Sequence, residues 1–492
     1  MGLGSFVFAS PASADRPNIV WIIPDDMSAN FACYGETAIA TPNVDKLAAN
    51  GVKFTNAYVT APVCSTCRSA FITGMYQTSI GAHHHRSGRG DEKIRLPEPI
   101  KLLPKLFQEA GYFTSISGWP IAKGLGKTDY NFEWDKSVYD GSDWSKRKRG
   151  QPFFAQIQTQ GGKLRGSNES GWEKSQAAAE KKLGDRTGIE SVKLPPYYPR
   201  HPDVLRDWAA YLDSVRMTDV MVGEVIARLE KEGVLDNTLV LFMTDHGISH
   251  ARGKQFMYDE GLHVPLVIRG PGIVAGSVRE DLVEHIDIAA LSLAAAGIAI
   301  PDYMQAKDIL ATEYTPRIAV FSARDRCDET VDHMRSVRTK EFKYIRNFLP
   351  NRPYLQPCAY KDKKQILIAM REWHDAGKLD AVQELVFRNV RPEEELYDVK
   401  ADPHEIRNLA GDSNFADTLV EMRGQLDRWM DETNDRGRTP ESATMYDSDM
   451  DVYLNAMRRK NDPAHLKEIE ANIALMKKWA ATIPASPAKE GD

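Results

Sequence analysis

Cysteine is scarce in this chain: five residues among 492, at Cys33, Cys64, Cys67, Cys327 and Cys358. An odd and scattered set makes no disulfide framework, which excludes a small stapled scaffold and leaves at least one thiol in need of another role. Long apolar runs are missing too. The longest in the second half, 286–300, is interrupted by Asp287 and falls short of the roughly 20 residues that span a bilayer. Nor does either sign of charge dominate. Lys and Arg number 63 against 69 Asp and Glu, a net of −6, which disfavours a dedicated nucleic-acid binder and a disordered acidic tail. Any anion the chain binds must therefore be held by a local cluster. Internal repeats are absent, and the length suits two domains or a large one with a companion.

The first residues lack the positive start of a secretory signal but have an apolar stretch, Leu3 to Phe8, followed by Ala12-Ser13-Ala14. That order fits the end of such a signal with its small-residue cleavage site. Residues 1–14 are expected to be a signal remnant on a periplasmic or secreted protein without a membrane span.

Two segments read as buried parallel strands, Asn18 to Ile23 and Thr238 to Met243, because both are continuous apolar runs rich in branched side chains. Each runs into acid: Pro24-Asp25-Asp26 after the first, Thr244-Asp245-His246-Gly247 after the second. Potential metal ligands thus stand at strand carboxyl ends, the edge where open α/β sheets bind ligands. Between the strands, Trp208, Tyr211, Leu212, Val215, Val222, Val225, Ile226 and Leu229 share one face of a helix from Asp203 to Glu232, which Gly233 ends. The alternation predicts a doubly wound α/β sheet. Residues 135–202, polar, basic in patches and rich in Gly and Pro, read as long loops over its edge. A second, α+β unit is expected from about residue 316, with strands at Ile318 to Phe321 and Phe342 to Ile345 and a helix from Asp417 to Asn434. The division is 15–315 and 316–492.

The chemistry concentrates in Cys64-Ser65-Thr66-Cys67-Arg68, followed by Thr73-Gly74. Cys64 and Cys67 alone form C-x-x-C, which suits a redox pair or half a zinc site, the latter with His83-His84-His85 nearby. No second C-x-x-C exists and no thioredoxin-like unit surrounds the first, so neither reading is favoured. Taken with both acidic strand ends, the stretch resembles the signature of the type I sulfatases, members of the alkaline phosphatase superfamily. The usual pattern is C-x-P-x-R, in which the cysteine is oxidised to formylglycine. The resemblance covers nearly the whole chain: Thr41 to Ala48, Lys254 with Tyr258-Asp259-Glu260-Gly261, Val264 to Arg269, Glu395 to Asp398, and Asp402-Pro403-His404-Glu405. Its overall look is similar to heparan N-sulfatase-like and related bacterial glycan sulfatases.

The resemblance implies an alkaline-phosphatase-like, mostly parallel sheet covered by helices on both faces. It also implies hydrolysis of sulfate esters or N-sulfates on a sulfated carbohydrate. Cys64 becomes the formylglycine nucleophile through a maturation enzyme, and its hydrate supplies one hydroxyl to attack sulfur and another to expel sulfate. Calcium is implied on Asp25, Asp26, Asp245, His246 and the Cys64 position; carboxylate-rich geometry by itself also permits magnesium. Arg68, Lys127 and Lys254 are the expected sulfate-site cations. The position of a family histidine falls nearest Lys163, and Asp129 replaces another, so two imidazoles are missing. His250 and Lys163 are candidates for the leaving-group proton, and His85 and Arg86 for substrate selection. Thr66 replaces the proline of the maturation signature. Two rivals remain: a phosphonate monoester or phosphodiester hydrolase of the same superfamily, and a non-catalytic sulfoglycan-binding protein if Cys64 stays a thiol.

Overall fold

The computed structural model describes residues 16–481, so the signal remnant expected at 1–14 lies outside the described residues. Eleven strands form two sheets. The first joins β1 (Asn18–Pro24), β2 (Val52–Tyr58), β3 (Phe113–Ser117), β4 (Phe153–Thr159), β5 (Thr238–Met243), β6 (His263–Arg269) and β7 (Ser277–Glu284) in the order β3-β4-β1-β5-β6-β2-β7. All neighbours pair in parallel except β6, which runs antiparallel to both β5 and β2. The second sheet is antiparallel: β8 (Val320–Arg324), β9 (Met334–Arg338), β10 (Phe342–Asn347) and β11 (Glu394–Asp398), ordered β11-β10-β9-β8.

The apolar runs of β1 and β5 have a simple cause. Both strands are central, so each alternate residue faces a different core. Ile19, Trp21, Ile23, Leu239, Leu241 and Met243 join one apolar cluster, while Val20, Ile22, Val240 and Phe242 join the other. The first face is covered by helices Cys64–Phe71, Leu103–Glu109 and Asp287–Ala295, the second by Pro42–Ala49, Pro202–Lys231 and Gln365–Asp375. Trp21 is fully buried, meets Phe71 and Phe154 edge-on, and donates its indole N–H to Ser292 Oγ at 2.9 Å. Truncating it to Ala is expected to cost about 3–5 kcal/mol.

One expectation is corrected. Residues 135–202 are not loops over the edge: they contain β4, which pairs with β1 inside the sheet, and a fifteen-residue helix, Glu169–Leu183. The basic and Gly-rich flanks masked a fully buried strand only seven residues long. Smaller shifts occur elsewhere. Ile318 is 80 % exposed and the strand begins at Val320, and two C-terminal helices, Ala443–Arg458 and Pro463–Ala480, carry no motif that marked them in advance. No helix among the described residues is long and apolar enough to cross a membrane.

The second sheet is bolted to the first beside the site. Lys343 of β10 bonds both Asp259 (2.5 Å) and Glu405 (2.7 Å), and Tyr258 donates to Glu395 Oε2 of β11 at 2.8 Å. The Asp402-Pro403-His404-Glu405 block therefore works as a clamp between the sheets.

Candidate active site

Carboxyl ends of the parallel strands converge on one buried cluster. β1 ends in Asp25 and Asp26, β5 leads to Asp245 and His246, β4 leads to Lys163, β3 to Lys127, and β2 to the helix that begins with Cys64. All eight residues of that helix are buried, and Val63 at its N-cap offers no side-chain hydrogen bond. Its first-turn N–H groups and positive end therefore point at the site, an arrangement suited to an anion.

Cys64 Sγ lies 3.0 Å from His246 Nε2, 3.0 Å from Lys254 Nζ, 3.7 Å from Asp26 Oδ1 and 3.8 Å from Lys163 Nζ. Lys254 and Lys163 also meet Asp26 at 3.1 and 3.6 Å; Lys163 and Lys127 meet Asp25 Oδ2 at 2.6 and 2.9 Å. Arg68 binds Asp25 and Gln158 closely and Asp245 Oδ2 at 3.1 Å. The neighbouring Lys123 is exposed. Burial alone raises the Cys64 thiol, but Lys127, Lys163 and Lys254 overcome it and bring the group down to about 7. Burial likewise opposes ionisation of Asp25, yet Arg68, Lys127 and Lys163 hold it well below the usual carboxylate range. Cys67 is different: its Sγ sits 2.6 Å from the Ala61 carbonyl, burial raises it well above an ordinary thiol, and it forms no disulfide. The two thiols of the C-x-x-C pair are thus driven in opposite directions, Cys64 down and Cys67 up.

The donor set fits a divalent metal. Asp26 Oδ1, Cys64 Sγ and His246 Nε2 lie within 4.8 Å of one another. Burial opposes a charge on His246, but Asp245 and Cys64 hold it up at about 10. Its Nδ1–H faces the Gly247 carbonyl at 2.8 Å, so a metal bound beside Asp26 and Cys64 would displace only the Nε2 proton. The backbone is shaped to this end. A Cβ on Gly161 or Gly162 would come within 2.2 Å of the Asp25 and Asp26 carbonyl oxygens, so only glycine lets the chain after β4 lie against both acids. Five of the eight non-glycine residues with left-handed backbone among the described residues, Asp26, Arg86, Asp129, Gln255 and Asp328, belong to this region. Such conformations cost about 1 kcal/mol or more each and concentrate where geometry matters more than stability.

His85 and Arg86 stand one step from the nucleophile. His85 Nδ1 is 2.7 Å from Ser65 Oγ, and both residues face Asp328, at 3.7 and 3.5 Å. His250 does not join the cluster. Its Nε2 is 2.5 Å from Asp207 Oδ1, its ring packs among Tyr198, Trp208 and Tyr211, and burial, with Arg165 nearby, lowers it to about 3. It serves a buried anchor with Asp207 and Arg165, and the expectation that it donates a proton to the leaving group has no geometric support. Gln158, Asp328 and Tyr360, whose ring lies 5.1 Å from Lys254 Nζ, escaped the sequence reading. Gln158 lies within β4, inside the stretch read as loops, and the other two sit in stretches without a motif.

The sulfatase family model matches residues 17–298, more than half the chain, and the model for the N-sulphoglucosamine sulphohydrolase C-terminal region matches 246–354. The chain belongs to the sulfatase family. Sulfatases hydrolyse sulfate esters. An ulvan-active sulfatase of Formosa agariphila is 33 % identical over 469 residues, covering 87 % of this chain and 77 % of the relative. Human N-sulphoglucosamine sulphohydrolase is 28 % identical over 477 residues, covering 85 % and 91 %. Among solved structures, one bound to its substrate D-glucosamine-2-N,6-O-disulfate aligns with TM-score 0.59 at 21 % identity, over 85 % of this chain and 98 % of the other. The phosphonate monoester hydrolase of Agrobacterium radiobacter aligns with TM-score 0.58 at 16 % identity, over 85 % and 96 %. Both share the fold.

Proposed function

We propose that this sulfatase removes sulfate, as an ester or an N-sulfate, from a sulfated carbohydrate, using formylglycine derived from Cys64 and a divalent metal, calcium before magnesium. The observation that carries the reading is the buried thiol of Cys64, faced by Lys254, His246, Lys163 and Asp26 at the carboxyl edge of a parallel sheet. When bound, a hard cation on Asp25, Asp26, Asp245 and His246 supplies charge neutralisation for the sulfate group, and the aldehyde of formylglycine supplies a hydrated nucleophile. The chain's own residues do the rest. Arg68 holds the strand-end acids in place; Lys127, Lys163 and Lys254 present ammonium groups to sulfate oxygens. With two family imidazoles replaced, charge stabilisation here rests on lysines. The glycan substrate draws support from the two relatives and from His85 and Arg86 beside the nucleophile. Maturation by a formylglycine-forming enzyme and export to the periplasm or beyond complete the proposal, the latter supported by the small-residue segment at Ala12-Ser13-Ala14.

Sulfate release from sulfated oligosaccharides by protein co-expressed with the maturation enzyme tests the reading, together with peptide mass spectrometry on the Cys64 segment. An unmodified thiol in protein from the native host sinks the mechanism and favours a sulfoglycan-binding role. Faster turnover of an aryl phosphonate than an aryl sulfate makes the protein a phosphonate hydrolase instead.

A further inference from the structure

The loop after His85 leads from the nucleophile to the surface and carries two half-exposed arginines. The Arg86 N–H donates to Ser65 Oγ at 3.0 Å, next to Cys64, and its backbone takes a left-handed φ of 59°. Its side chain is 46 % exposed and meets Asp328 Oδ1 at 3.5 Å. Arg89 is 37 % exposed and meets Asp129 Oδ1 at 2.6 Å; Lys127 approaches the other oxygen of Asp129 at 3.8 Å. Each guanidinium has five donors and spends one side-chain hydrogen bond among the described residues. Buried His85 registers the surroundings: desolvation pushes it well down, followed by Arg86, Lys254, Arg89 and Lys127.

A remote carboxylate sets this loop. Asp449, on the helix Ala443–Arg458 and 3 % exposed, accepts from the N–H groups of Gly88 (3.1 Å), Arg89 (2.8 Å) and Gly90 (3.0 Å), and from Arg326 Nη2 at 2.8 Å. Arg326 in turn donates to the carbonyls of His85 (3.3 Å) and Asp328 (3.0 Å) and pairs with Glu441. A Cβ on Gly90 would fall 2.3 Å from Ser448 Oγ, so the loop is pressed against the helix. One buried acid thereby fixes both the loop that carries Arg86 and Arg89 and the arginine that holds Asp328.

A single scissile sulfate is already served by Lys127, Lys163 and Lys254, and a metal held by the strand-end acids would add to them. The structure assigns a second task to the outer pair: Arg86 and Arg89 form a subsite for a further anionic group on the same glycan, a uronate carboxylate or a second sulfate, and Asp449 is its positioning residue. Planar guanidinium forks suit such oxyanions. The assignment rests on the glycan-sulfatase reading.

The test is the ratio of kcat/KM for a dianionic over a monoanionic substrate, with p-nitrophenyl sulfate as the monoanion. A disulfated sugar and a sulfated uronate-containing disaccharide form the two dianionic arms, and whichever arm responds names the group. The ratio is expected to fall about ten- to a hundredfold in Arg86→Ala and Arg89→Ala, mainly through KM. Arg89→Glu should invert it, and Asp449→Asn should lower it, with partial retention in Asp449→Glu. An unchanged ratio in the double arginine variant, or equal losses on both substrates, overturns the subsite. Calorimetric binding of the same sugars to Cys64→Ala reads the subsite without turnover. If the wild type releases no sulfate, the parent reading fails; selective dianion binding lost in Arg89→Ala still upholds the subsite, and equal binding of all sugars refutes it.

Discussion

Lys254 Nζ stands 3.0 Å from Cys64 Sγ and 3.1 Å from Asp26 Oδ1, so one buried ammonium touches both the reactive position and a metal-type acid. Burial opposes its charge, but Asp26 and Cys64 hold it well above an ordinary lysine, and it remains cationic throughout the working pH range. A fixed charge aimed at developing negative charge in a water-poor site is worth about 10²–10³ in rate. Lys254→Met is therefore expected to lower kcat on an aryl sulfate by that factor. Lys254→Arg should recover little, because a planar fork cannot occupy a point-charge position between Asp26 and Cys64. Steady-state kinetics on matured enzyme check both, and full activity in Lys254→Met would remove this residue from the machinery.

The helix position of Thr66 gives a second expectation. Thr66 is the third residue of the Cys64 helix, and its hydroxyl donates to the Val63 carbonyl at 2.8 Å. A first-turn N–H has no intrahelical acceptor, so proline is tolerated there at small cost. Thr66→Pro should change stability by about 1 kcal/mol or less while raising the fraction of Cys64 converted to aldehyde. Mass spectrometry of the Cys64 peptide and a thermal melt measure the two effects separately; a melt lowered with no gain in aldehyde refutes the expectation.

Much of this site was legible in the sequence because acid runs follow apolar strands. Asp25, Asp26, Asp245 and His246 could be placed at a sheet edge from the patterns of β1 and β5 alone, and their geometry confirms that edge. The resemblance then named Lys127, Lys163 and Lys254, which reach the same acids from three different connections. What escaped depended on long-range packing. His250 sits four residues before Lys254, yet its side chain turns away because Asp207 and Arg165 on other elements offer a buried partner. Asp449 lies 361 residues from Gly88, and no local pattern marks a carboxylate whose partners are backbone amides so distant in the chain.

Removing the metal should matter to stability as well as to rate. Asp25 and Asp26 are both buried, and their oxygens are shared among lysines that also face Cys64. A cation bound only in the fold adds about 2.7 kcal/mol at a hundredfold excess over its dissociation constant. Adding calcium to chelator-treated protein is expected to raise the melting temperature by several degrees, magnesium less, with activity returning in parallel. Asp26→Asn should blunt that response. His246→Asn should keep it, since an amide oxygen is a harder donor than imidazole and suits calcium. A melt indifferent to calcium and magnesium would place the metal elsewhere.

Acid should unfold the protein earlier than its carboxylates alone require, and His285 is one cause. It is 1 % exposed beneath the Cys64 helix; the Thr60 N–H donates to its Nδ1 at 3.1 Å, and its Nε2–H donates to the Cys67 carbonyl at 3.2 Å. Both nitrogens are satisfied only in the neutral ring, because a proton on Nδ1 would oppose the Thr60 N–H. Burial drives the group down to about 3, against about 6.5 for an unfolded histidine. As pH falls below about 6.5 the unfolded chain takes up the proton first, so stability is full above that point and declines toward about 3. The slope is about 1.4 kcal/mol per pH unit for the one proton. Glutamine can accept from Thr60 and donate to Cys67 without titrating. His285→Gln is therefore expected to flatten the fall in denaturant-derived stability between about pH 6 and about pH 4 by close to one proton, whatever it costs at neutral pH. His250, also lowered to about 3, leaves a residual slope that His285→Gln does not remove. Parallel profiles for wild type and His285→Gln would show that this histidine does not set the acid limit.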